Sequence, residues 1–337
     1  MTQHTLTYFK KLALQNNALF QVEIDVTNHC NANCPFCFEG THENCSDGEL
    51  SLNQIIQLLD ALREMGTFYI GFSGGEPFAR SDFLEILQEA KKRAFRVSLI
   101  TNAILLTKEK INILAETNVD HINVSFHSII LDSYLKCFGI NDAKYYYRAL
   151  ENIQYMLQKK MELGVSITVT KYNVDEIPAT TQFFKDLGIN ENAISYNLLS
   201  KGKREINDLV PLPDQIAKCG SILTKATKYP REESLICTAG TISCSIDAYG
   251  NVFPCTFFNT SAGNITEGTL QNIWNHAHLF KLIRSFKSSM FQKCDSCSIK
   301  KYCHVCLASN MNETGNVFNP SDIYCISRKA RLGSCAK

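Results

Sequence analysis

The segment Cys30-Asn31-Ala32-Asn33-Cys34-Pro35-Phe36-Cys37 carries three thiols on one short loop, separated by three and then by two residues. An iron–sulfur cube normally takes four thiolates, one for each iron. This loop supplies three, and the next cysteine, Cys45, lies outside it. One iron of such a cube would therefore be open to an outside ligand. A partial zinc site and a set of redox thiols are the alternatives that these residues alone leave open.

Strand-like and helix-like segments alternate on both sides of this loop. Short apolar or alternating runs predict strands at residues 20–26, 68–72, 96–100, 121–126, 165–170 and 194–199. Helical spacing predicts helices at residues 82–93, 108–116, 143–163 and 178–187, and a further helix after a capping box at Ser51. This alternation predicts a parallel α/β fold, a partial (β/α)6 TIM-like barrel.

Four residues of chemical interest lie at or shortly after the carboxyl ends of predicted strands. They are Cys30, Gly74, Asn102 and Ser125. In barrels of this kind the functional loops lie at the carboxyl ends of the strands. The sequence therefore predicts one shared site.

Composition excludes several classes of protein. The 337 residues include 34 Lys and Arg against 33 Asp and Glu, so no strong charge attracts nucleic acid or an anionic membrane. Residues 1–20 show no signal-peptide core, and no apolar run approaches the roughly 20 residues that span a bilayer. Fifteen cysteines without a secretion signal indicate metal binding rather than disulfides. We therefore expect a cytoplasmic protein.

A second cysteine-rich zone occupies the C-terminal third. It contains eight thiols, enough for two fully ligated cubes: Cys237, Cys244, Cys255, Cys294, Cys297, Cys303, Cys306 and Cys325. Residues 246–252 predict a hairpin that presents Cys244 and Cys255 from its two strands. A four-cysteine zinc site is the alternative, because two Cys-x2-Cys pairs are also typical of zinc.

The three-thiol loop, followed after the next strand by Gly74-Gly75-Glu76-Pro77, resembles the signature of the radical S-adenosylmethionine (SAM) superfamily. The resemblance implies that SAM chelates the open iron of a [4Fe–4S] cluster and is cleaved to a 5′-deoxyadenosyl radical. Glu76 and its loop would receive the SAM ammonium, and Phe36 would contact the adenine. Lys136 lies near the position where relatives often carry an Arg that binds the SAM carboxylate, and it would take the place of that Arg. The residues implied to bind SAM are Phe36, Gly74, Gly75, Glu76, Asn102, Ser125, Lys136 and Leu198.

The C-terminal zone resembles the SPASM extension of that superfamily. By the arrangement in anaerobic sulfatase-maturing enzymes, one auxiliary [4Fe–4S] cluster would take Cys237, Cys244, Cys255 and Cys306, and a second would take Cys294, Cys297, Cys303 and Cys325. The last gap of the four-cysteine run is one residue shorter than usual, which affects Cys306. We expect a lead (1–20), the barrel (21–205), a bridge (206–235) with a helix near 215–227, the SPASM domain (236–330) and a tail (331–337).

The resemblance implies an oxidoreductase that matures a ribosomally synthesised peptide by a thioether or carbon–carbon crosslink or another side-chain oxidation. The alternatives are a sugar or aminocyclitol dehydrogenase or epimerase, a peptide epimerase, and a non-catalytic cluster carrier or zinc-held binding module. Cys137 and Cys219 are candidate hydrogen-atom donors for an epimerase. Thr256 stands where sulfatase-maturing enzymes carry an Asp base, which argues against formylglycine formation. We expect a flavodoxin or ferredoxin as electron donor. Given the short lead, a leader peptide would need either a separate peptide-recognition protein or direct docking.

Overall fold

The computed structural model describes residues 3–40, 48–199, 201–202, 204–223, 237–300 and 303–333. Cys45 and Cys335 lie outside the described residues, as does the end of the helix predicted near 215–227.

Nine strands of the described chain form one sheet. They are β1 Gln21–Asp25, β2 Tyr69–Ser73, β3 Arg96–Thr101, β4 His121–Ser125, β5 Leu163–Val169, β6 Ile194–Leu198, β7 Ser243–Ile246, β8 Asn251–Phe253 and β9 Gly263–Asn264. Their order across the sheet is β6-β5-β4-β3-β2-β1-β7-β8-β9. The first six strands pair in parallel and in chain order, which confirms the predicted partial barrel. The sheet stays open, since β6 and β9 are its two edges.

Thirteen α-helices accompany these strands in the same part of the chain. They are α1 Gln3–Asn16, α2 Leu52–Glu64, α3 Phe83–Lys92, α4 Lys108–Thr117, α5 Leu131–Phe138, α6 Lys144–Gln158, α7 Ile177–Asp186, α8 Pro213–Lys218, α9 Gly220–Leu223, α10 Leu270–His276, α11 His278–Ser285, α12 Leu307–Thr314 and α13 Asp322–Gly333. The capping box predicted at Ser51 begins α2. None of these helices is both long and apolar enough to cross a bilayer.

Two helices of the barrel differ from the sequence prediction. The helix predicted over 143–163 ends at Gln158, because Lys160 adopts a left-handed backbone (φ 56°) and the chain enters β5 at Leu163. The eight-residue helix α5 was not predicted, since so few turns give too little periodicity to recognise.

The two faces of the barrel strands differ in polarity. On β1, Val22 and Ile24 are fully buried on the outer face, while Gln21, Glu23 and Asp25 alternate with them and line an internal cavity. Alternation is a property of every strand, because successive side chains point to opposite faces. The barrel is therefore apolar beneath its helices and polar inside.

The SPASM region is joined to the barrel through the sheet itself. Strand β7 pairs in parallel with β1, with Val22 opposite Cys244 and Glu23 opposite Ser245. The predicted hairpin is present as β7 and β8, which pair antiparallel. Cys255 lies two residues beyond the end of β8 rather than on the strand. The strands of the predicted SPASM domain thus continue the sheet of the barrel.

A second apolar cluster lies in the cysteine-rich region. Its buried members are Phe258, Ile283, Phe286, Phe291, Leu307 and Ala308. Four of the eight predicted cluster ligands pack against it, namely Cys237, Cys255, Cys294 and Cys306. The cysteines are thereby held on a small core of their own.

Candidate active site

The loop that carries Cys30, Cys34 and Cys37 is fixed at its start by backbone hydrogen bonds. The Gly75 N–H donates to the Thr27 carbonyl at 2.8 Å, and the Glu76 N–H donates to the His29 carbonyl at 2.8 Å. These bonds attach the beginning of the loop to the segment that follows β2. The position of the thiols is therefore set by the protein fold.

Two further hydrogen bonds fix the middle of the same loop. Asn102, just after β3, donates from Nδ2 to Asn31 Oδ1 at 2.8 Å. The Asn33 N–H donates to the carbonyl of Phe138, the last residue of α5, at 2.9 Å. The Asn31 Nδ2 is buried and has no hydrogen-bond partner within the described residues. Buried polar groups usually have a partner, so this atom indicates that another group belongs in the site.

Glycine is required where the two loops meet. Gly74 has a φ of +127°, a conformation that side chains rarely adopt. A Cβ at Gly75 would lie 2.6 Å from the His29 carbonyl carbon, which is too close for any real contact. The glycines thus allow the backbone after β2 to lie directly on the chain that leads to Cys30.

The three thiols share a buried environment. Burial raises the pKa of Cys30 to about 12 and raises the pKa of Cys34 and Cys37 as well. Charge on Cys37 and Cys30 raises the pKa of Cys34 further, so the three sulfur atoms lie near one another. A bound metal would reverse this effect, because its charge favours the thiolate. The donor set fits a cluster that is held by three thiolates.

Glu76 is buried and fully hydrogen-bonded within the protein. Its carboxylate accepts from Thr101 Oγ1 at 2.7 Å, from the Asn102 N–H at 2.7 Å and from the Phe78 N–H at 3.2 Å. Burial raises its pKa to about 7. The side chain joins the ends of β2 and β3, and a role for it in binding the SAM ammonium stays a prediction.

A cavity of about 250 Å³ lies beside the three thiols. Its wall includes six of the eight residues implied to bind SAM: Phe36, Gly74, Gly75, Asn102, Ser125 and Leu198. Glu76 and Lys136 do not line it. The structure therefore brings most of the predicted cofactor residues together around one space.

Lys136 lies outside this site, and a different basic residue lies beside the loop. The Lys136 side chain is half exposed and pairs with Asp132 at 2.6 Å. Arg204 donates from Nη2 to Asn33 Oδ1, and its Nε is buried without a hydrogen-bond partner in the described chain. Its charge lowers the pKa of Cys37, against the larger effect of burial. The sequence did not predict this position, because the basic run around Arg204 resembles a solvent-exposed linker.

His127 forms an aromatic wall of the cavity. Its ring stacks on Phe138 with centroids 4.7 Å apart and meets Phe36 edge-on at 5.2 Å. Burial lowers its pKa to about 3, so the ring is neutral. Because Nδ1 accepts the Thr168 N–H at 3.1 Å, the proton is on Nε2. Sequence patterns alone assign no specific role to this residue.

The two candidate hydrogen-atom donors lie away from the cavity. Cys137 is fully buried in α5, not in a loop, with its sulfur 3.6 Å from Thr170 Oγ1. Cys219 is buried at the end of α8 and donates to the Val174 carbonyl at 3.3 Å. Neither lines the cavity, so donation of a hydrogen atom would require these helices to move.

A larger cavity of about 510 Å³ adjoins the first and fills the barrel interior. The two share several wall residues, among them Cys37, Gly74 and Ser125. Cys244, Cys255 and Thr256 also line the larger cavity. The two cavities are therefore neighbours, and the larger one has the three-thiol loop at one part of its wall and SPASM cysteines at another.

The first auxiliary set is partly assembled in the structure. Burial is the main cause that raises the pKa of Cys255, and charge on Cys237 and Cys306 raises it further. These three thiols are therefore close enough to interact. Cys306 begins α12, and its sulfur accepts from the Ser309 N–H at 3.4 Å and from Ser309 Oγ at 3.1 Å. The shortened gap before Cys306 therefore does not separate it from Cys237 and Cys255.

The second auxiliary set lies nearer the surface. Burial is the largest cause that raises the pKa of Cys325 to about 11, and charge on Cys303, Cys294 and Cys297 adds to it. These are the four residues that the resemblance assigned to the farther cluster. The division of the eight ligands between two clusters stays a prediction.

Two protein-family models match the chain. Residues 24–184 match the radical SAM superfamily, and residues 237–298 match the SPASM iron–sulfur cluster-binding domain. The chain belongs to the radical SAM superfamily and carries a SPASM domain. It is accordingly a radical SAM enzyme, with S-adenosylmethionine and [4Fe–4S] clusters as its cofactors.

Individual relatives extend over most of the chain. The AdoMet-dependent heme synthase of Methanosarcina barkeri is 27% identical over 94% of this chain and 98% of its own length. The mycofactocin maturase MftC of Mycolicibacterium smegmatis is 28% identical over 81% of this chain and 74% of its own.

A solved structure shares the fold. SuiB of Streptococcus suis, bound to its precursor peptide SuiA, has a TM-score of 0.69 at 19% identity over 95% of this chain and 79% of that chain. SuiB bound to S-adenosylmethionine has a TM-score of 0.71.

Proposed function

We propose that this protein is a radical SAM/SPASM oxidoreductase that modifies a side chain of a ribosomally synthesised peptide. The position of the larger cavity carries the proposal. Cys37 forms one part of its wall, and Cys244 and Cys255 form another. A substrate in this cavity would lie between the thiols of the SAM-binding cluster and those of an auxiliary cluster, which suits removal of hydrogen at one end and of an electron at the other.

The residues around the smaller cavity are suited to hold SAM on the cluster of the three-thiol loop. When bound, this cofactor pair supplies the 5′-deoxyadenosyl radical that removes hydrogen from an unactivated carbon. Gly74 and Gly75 leave backbone groups accessible at the cavity wall, and Phe36 with His127 excludes water from it. Arg204 lies beside the loop with its Nε lacking a partner in the described chain, but it does not line the cavity, so no basic residue is assigned to the SAM carboxylate.

The eight SPASM thiols would hold two auxiliary clusters. Cys237, Cys255 and Cys306 lie near one another, and Cys244 lines the substrate cavity beside Cys255. In this proposal the nearer cluster accepts the electron that the oxidised substrate loses. A flavodoxin or ferredoxin would deliver the electron that starts each cycle, and cytoplasmic location stays an expectation.

A peptide is the substrate that the relatives favour. SuiB shares the fold over nearly the whole chain and has been solved with a precursor peptide, and MftC is named a maturase. The proposed reactions are formation of a thioether or carbon–carbon crosslink, or another two-electron oxidation of a side chain. Thr256 lines the cavity at the position of the Asp base of sulfatase-maturing enzymes, so formylglycine formation is not proposed.

A small molecule is the second candidate substrate. The heme synthase relative aligns over 98% of its length, which favours a non-peptide substrate in a chain of the same size. However, no Lys or Arg of the described residues lines either cavity, so a substrate rich in carboxylates would find no basic partner there. Epimerisation is less favoured, because neither Cys137 nor Cys219 reaches the cavity.

Mass spectrometry after anaerobic turnover tests the proposal. The reconstituted protein is incubated with SAM, a reductant and the small peptide encoded beside its gene. We expect 5′-deoxyadenosine and a peptide lighter by two hydrogen atoms. Uptake of one deuterium from heavy water without another mass change would indicate epimerisation instead. An unchanged peptide, with turnover of a small molecule from the same gene cluster, would contradict the peptide assignment.

A further inference from the structure

Glu23 is a carboxylic acid in the interior of the barrel. It lies in the middle of β1 on the inward face, and its accessible surface faces the 510 Å³ cavity. It has no hydrogen-bond or ion-pair partner within the described residues. A buried charge without a partner costs several kcal/mol, so a lone carboxyl here calls for an explanation.

The neighbouring strands leave space for this side chain. Gly71 on β2 and Ser245 on β7 are the residues directly opposite Glu23 in the sheet. A Cβ at Gly71 would lie 2.7 Å from the Glu23 carboxyl carbon, so only glycine allows the side chain its position. Glycine inside a strand is destabilising relative to alanine, because it loses more conformational freedom on folding. The position of Glu23 therefore depends on a glycine that makes β2 itself less stable.

A second polar group beside Glu23 also lacks a partner. The Ser245 Oγ is buried and makes no hydrogen bond to any described residue. Ser245 also lines the cavity. Glu23 and Ser245, opposite each other on adjacent strands, therefore both lack a partner at this cavity, which indicates that a ligand with hydrogen-bonding groups belongs beside them.

The charge of the cavity indicates which donor. Asp25, two residues from Glu23 on the same face of β1, and Glu39 line the cavity too. No Lys or Arg stands among the described wall residues, so no cationic side chain of that wall faces Glu23. Burial raises the pKa of Glu23 to about 7, as expected for a carboxyl without a cation nearby. A positively charged group would supply both the donors and the missing charge.

We propose that the barrel interior binds a cationic side chain of the substrate, a lysine or arginine, and that Glu23 is the residue that selects it. This inference rests on the proposed function, in which a peptide side chain enters the barrel. Glu23 would accept hydrogen bonds from the ammonium or guanidinium group, with Ser245 beside it. Pairing in a site shielded from water makes such a bond stronger than at the surface.

Binding of small neutral-backbone probes to the reconstituted holoenzyme tests the inference. The probes are the Nα-acetyl amides of lysine, arginine, glutamine and norleucine, which differ only in their side chains. They are titrated anaerobically in the presence of SAM by calorimetry. We expect the two cationic probes to bind about tenfold or more tightly than the two neutral ones, as a buried charge pair would provide.

Three variants locate the preference. Glu23→Gln should abolish it, and Gly71→Ala should weaken it by displacing the carboxylate while keeping its charge. Glu151→Gln, which alters an exposed glutamate of α6, should leave it unchanged. Iron content and the absorption of the clusters check that each variant is folded.

The outcomes separate this inference from the proposed function. Equal binding of all four probes, a preference that survives Glu23→Gln, or no binding of the cationic probes would overturn the role of Glu23. Binding does not require turnover, so a cationic preference without peptide oxidation would leave the cavity assignment intact and contradict the proposed reaction instead.

Discussion

The side chains of Asn102 and Asn31 are joined by a hydrogen bond from Nδ2 to Oδ1 at 2.8 Å. This bond links the end of β3 to the residue after Cys30, and so ties the barrel to the cluster-binding loop. Because Asn102 also donates its backbone N–H to Glu76, one residue connects three strand ends. The geometry of the site thus depends on contacts that involve no cofactor.

Replacing Asn102 by alanine should weaken SAM binding. Leaving a buried acceptor unpaired costs about 1–3 kcal/mol, which corresponds to about a 5- to 150-fold loss of affinity. Equilibrium dialysis of SAM against the anaerobic protein measures this change. Asn112→Ala, which removes a partner of the Tyr155 hydroxyl on the helical layer, is the matched control. Equal SAM affinity in the two variants would show that the Asn102–Asn31 bond does not position the site.

Two substitutions between glycine and alanine should have opposite results. Gly75→Ala would place a methyl group against the His29 carbonyl and displace the loop, so we expect SAM cleavage to fall by about a hundredfold or more. Ala103 has a left-handed backbone with φ 61°, which costs about 1–2 kcal/mol for a non-glycine residue. Ala103→Gly relieves this strain but loses a buried methyl, worth about 0.8 kcal/mol, and should retain cleavage. Loss of cleavage in Ala103→Gly would contradict this reasoning.

Stability should depend on pH through Glu23. Burial raises the pKa of this carboxyl from 4.5 to about 7. The folded protein therefore holds a proton that the unfolded chain has lost, and folding becomes less favourable as pH rises from about 4.5 to about 7. One pH unit corresponds to about 1.4 kcal/mol, so the full effect approaches about 3 kcal/mol.

Thermal denaturation under anaerobic conditions checks this pH dependence. Glu23 titrates over about pH 5 to pH 8. Between these two values the melting temperature of the wild type should fall by more than that of Glu23→Gln. Parallel curves for the two proteins would mean that Glu23 ionises as an ordinary surface carboxyl does.

Iron content should distinguish ligand cysteines from buried ones. Three cubes contain about 12 irons per chain. Cys306→Ser should lower the count to about eight, because one auxiliary cube loses a thiolate. Cys219→Ser should keep all of the iron, since this thiol bonds only to a backbone carbonyl in the core. Equal iron in both variants would remove Cys306 from the ligand set.

Local patterns in the sequence were sufficient for the barrel strands and the three-thiol loop. Strand β1 shows the limit of such patterns. Its alternation correctly predicted a strand, but a polar residue such as Glu23 looks like part of a solvent-exposed face. Only the curvature of the sheet makes that face the inside of the barrel, and curvature arises from pairing with distant strands.

Pairing between distant segments explains the remaining differences. Strand β7 lies more than two hundred residues after β1 in the chain, yet Cys244 is opposite Val22. No local periodicity records such a partner. Arg204 is another case of a distant partner. The basic run around it predicted a linker, but its side chain contacts Asn33 of the loop. Lys136 was selected by its position in the family pattern. In the structure it lies on the exposed face of α5, where it pairs with Asp132 one turn earlier.

Product analysis of SAM cleavage tests the central claim most directly. The wild-type protein, reconstituted anaerobically and given SAM and a strong reductant, should release 5′-deoxyadenosine, whereas Cys30→Ala should release none while keeping about eight irons in its auxiliary clusters. Zinc in place of iron in the anaerobically purified protein, or an iron–sulfur cluster that never yields 5′-deoxyadenosine, would contradict the account.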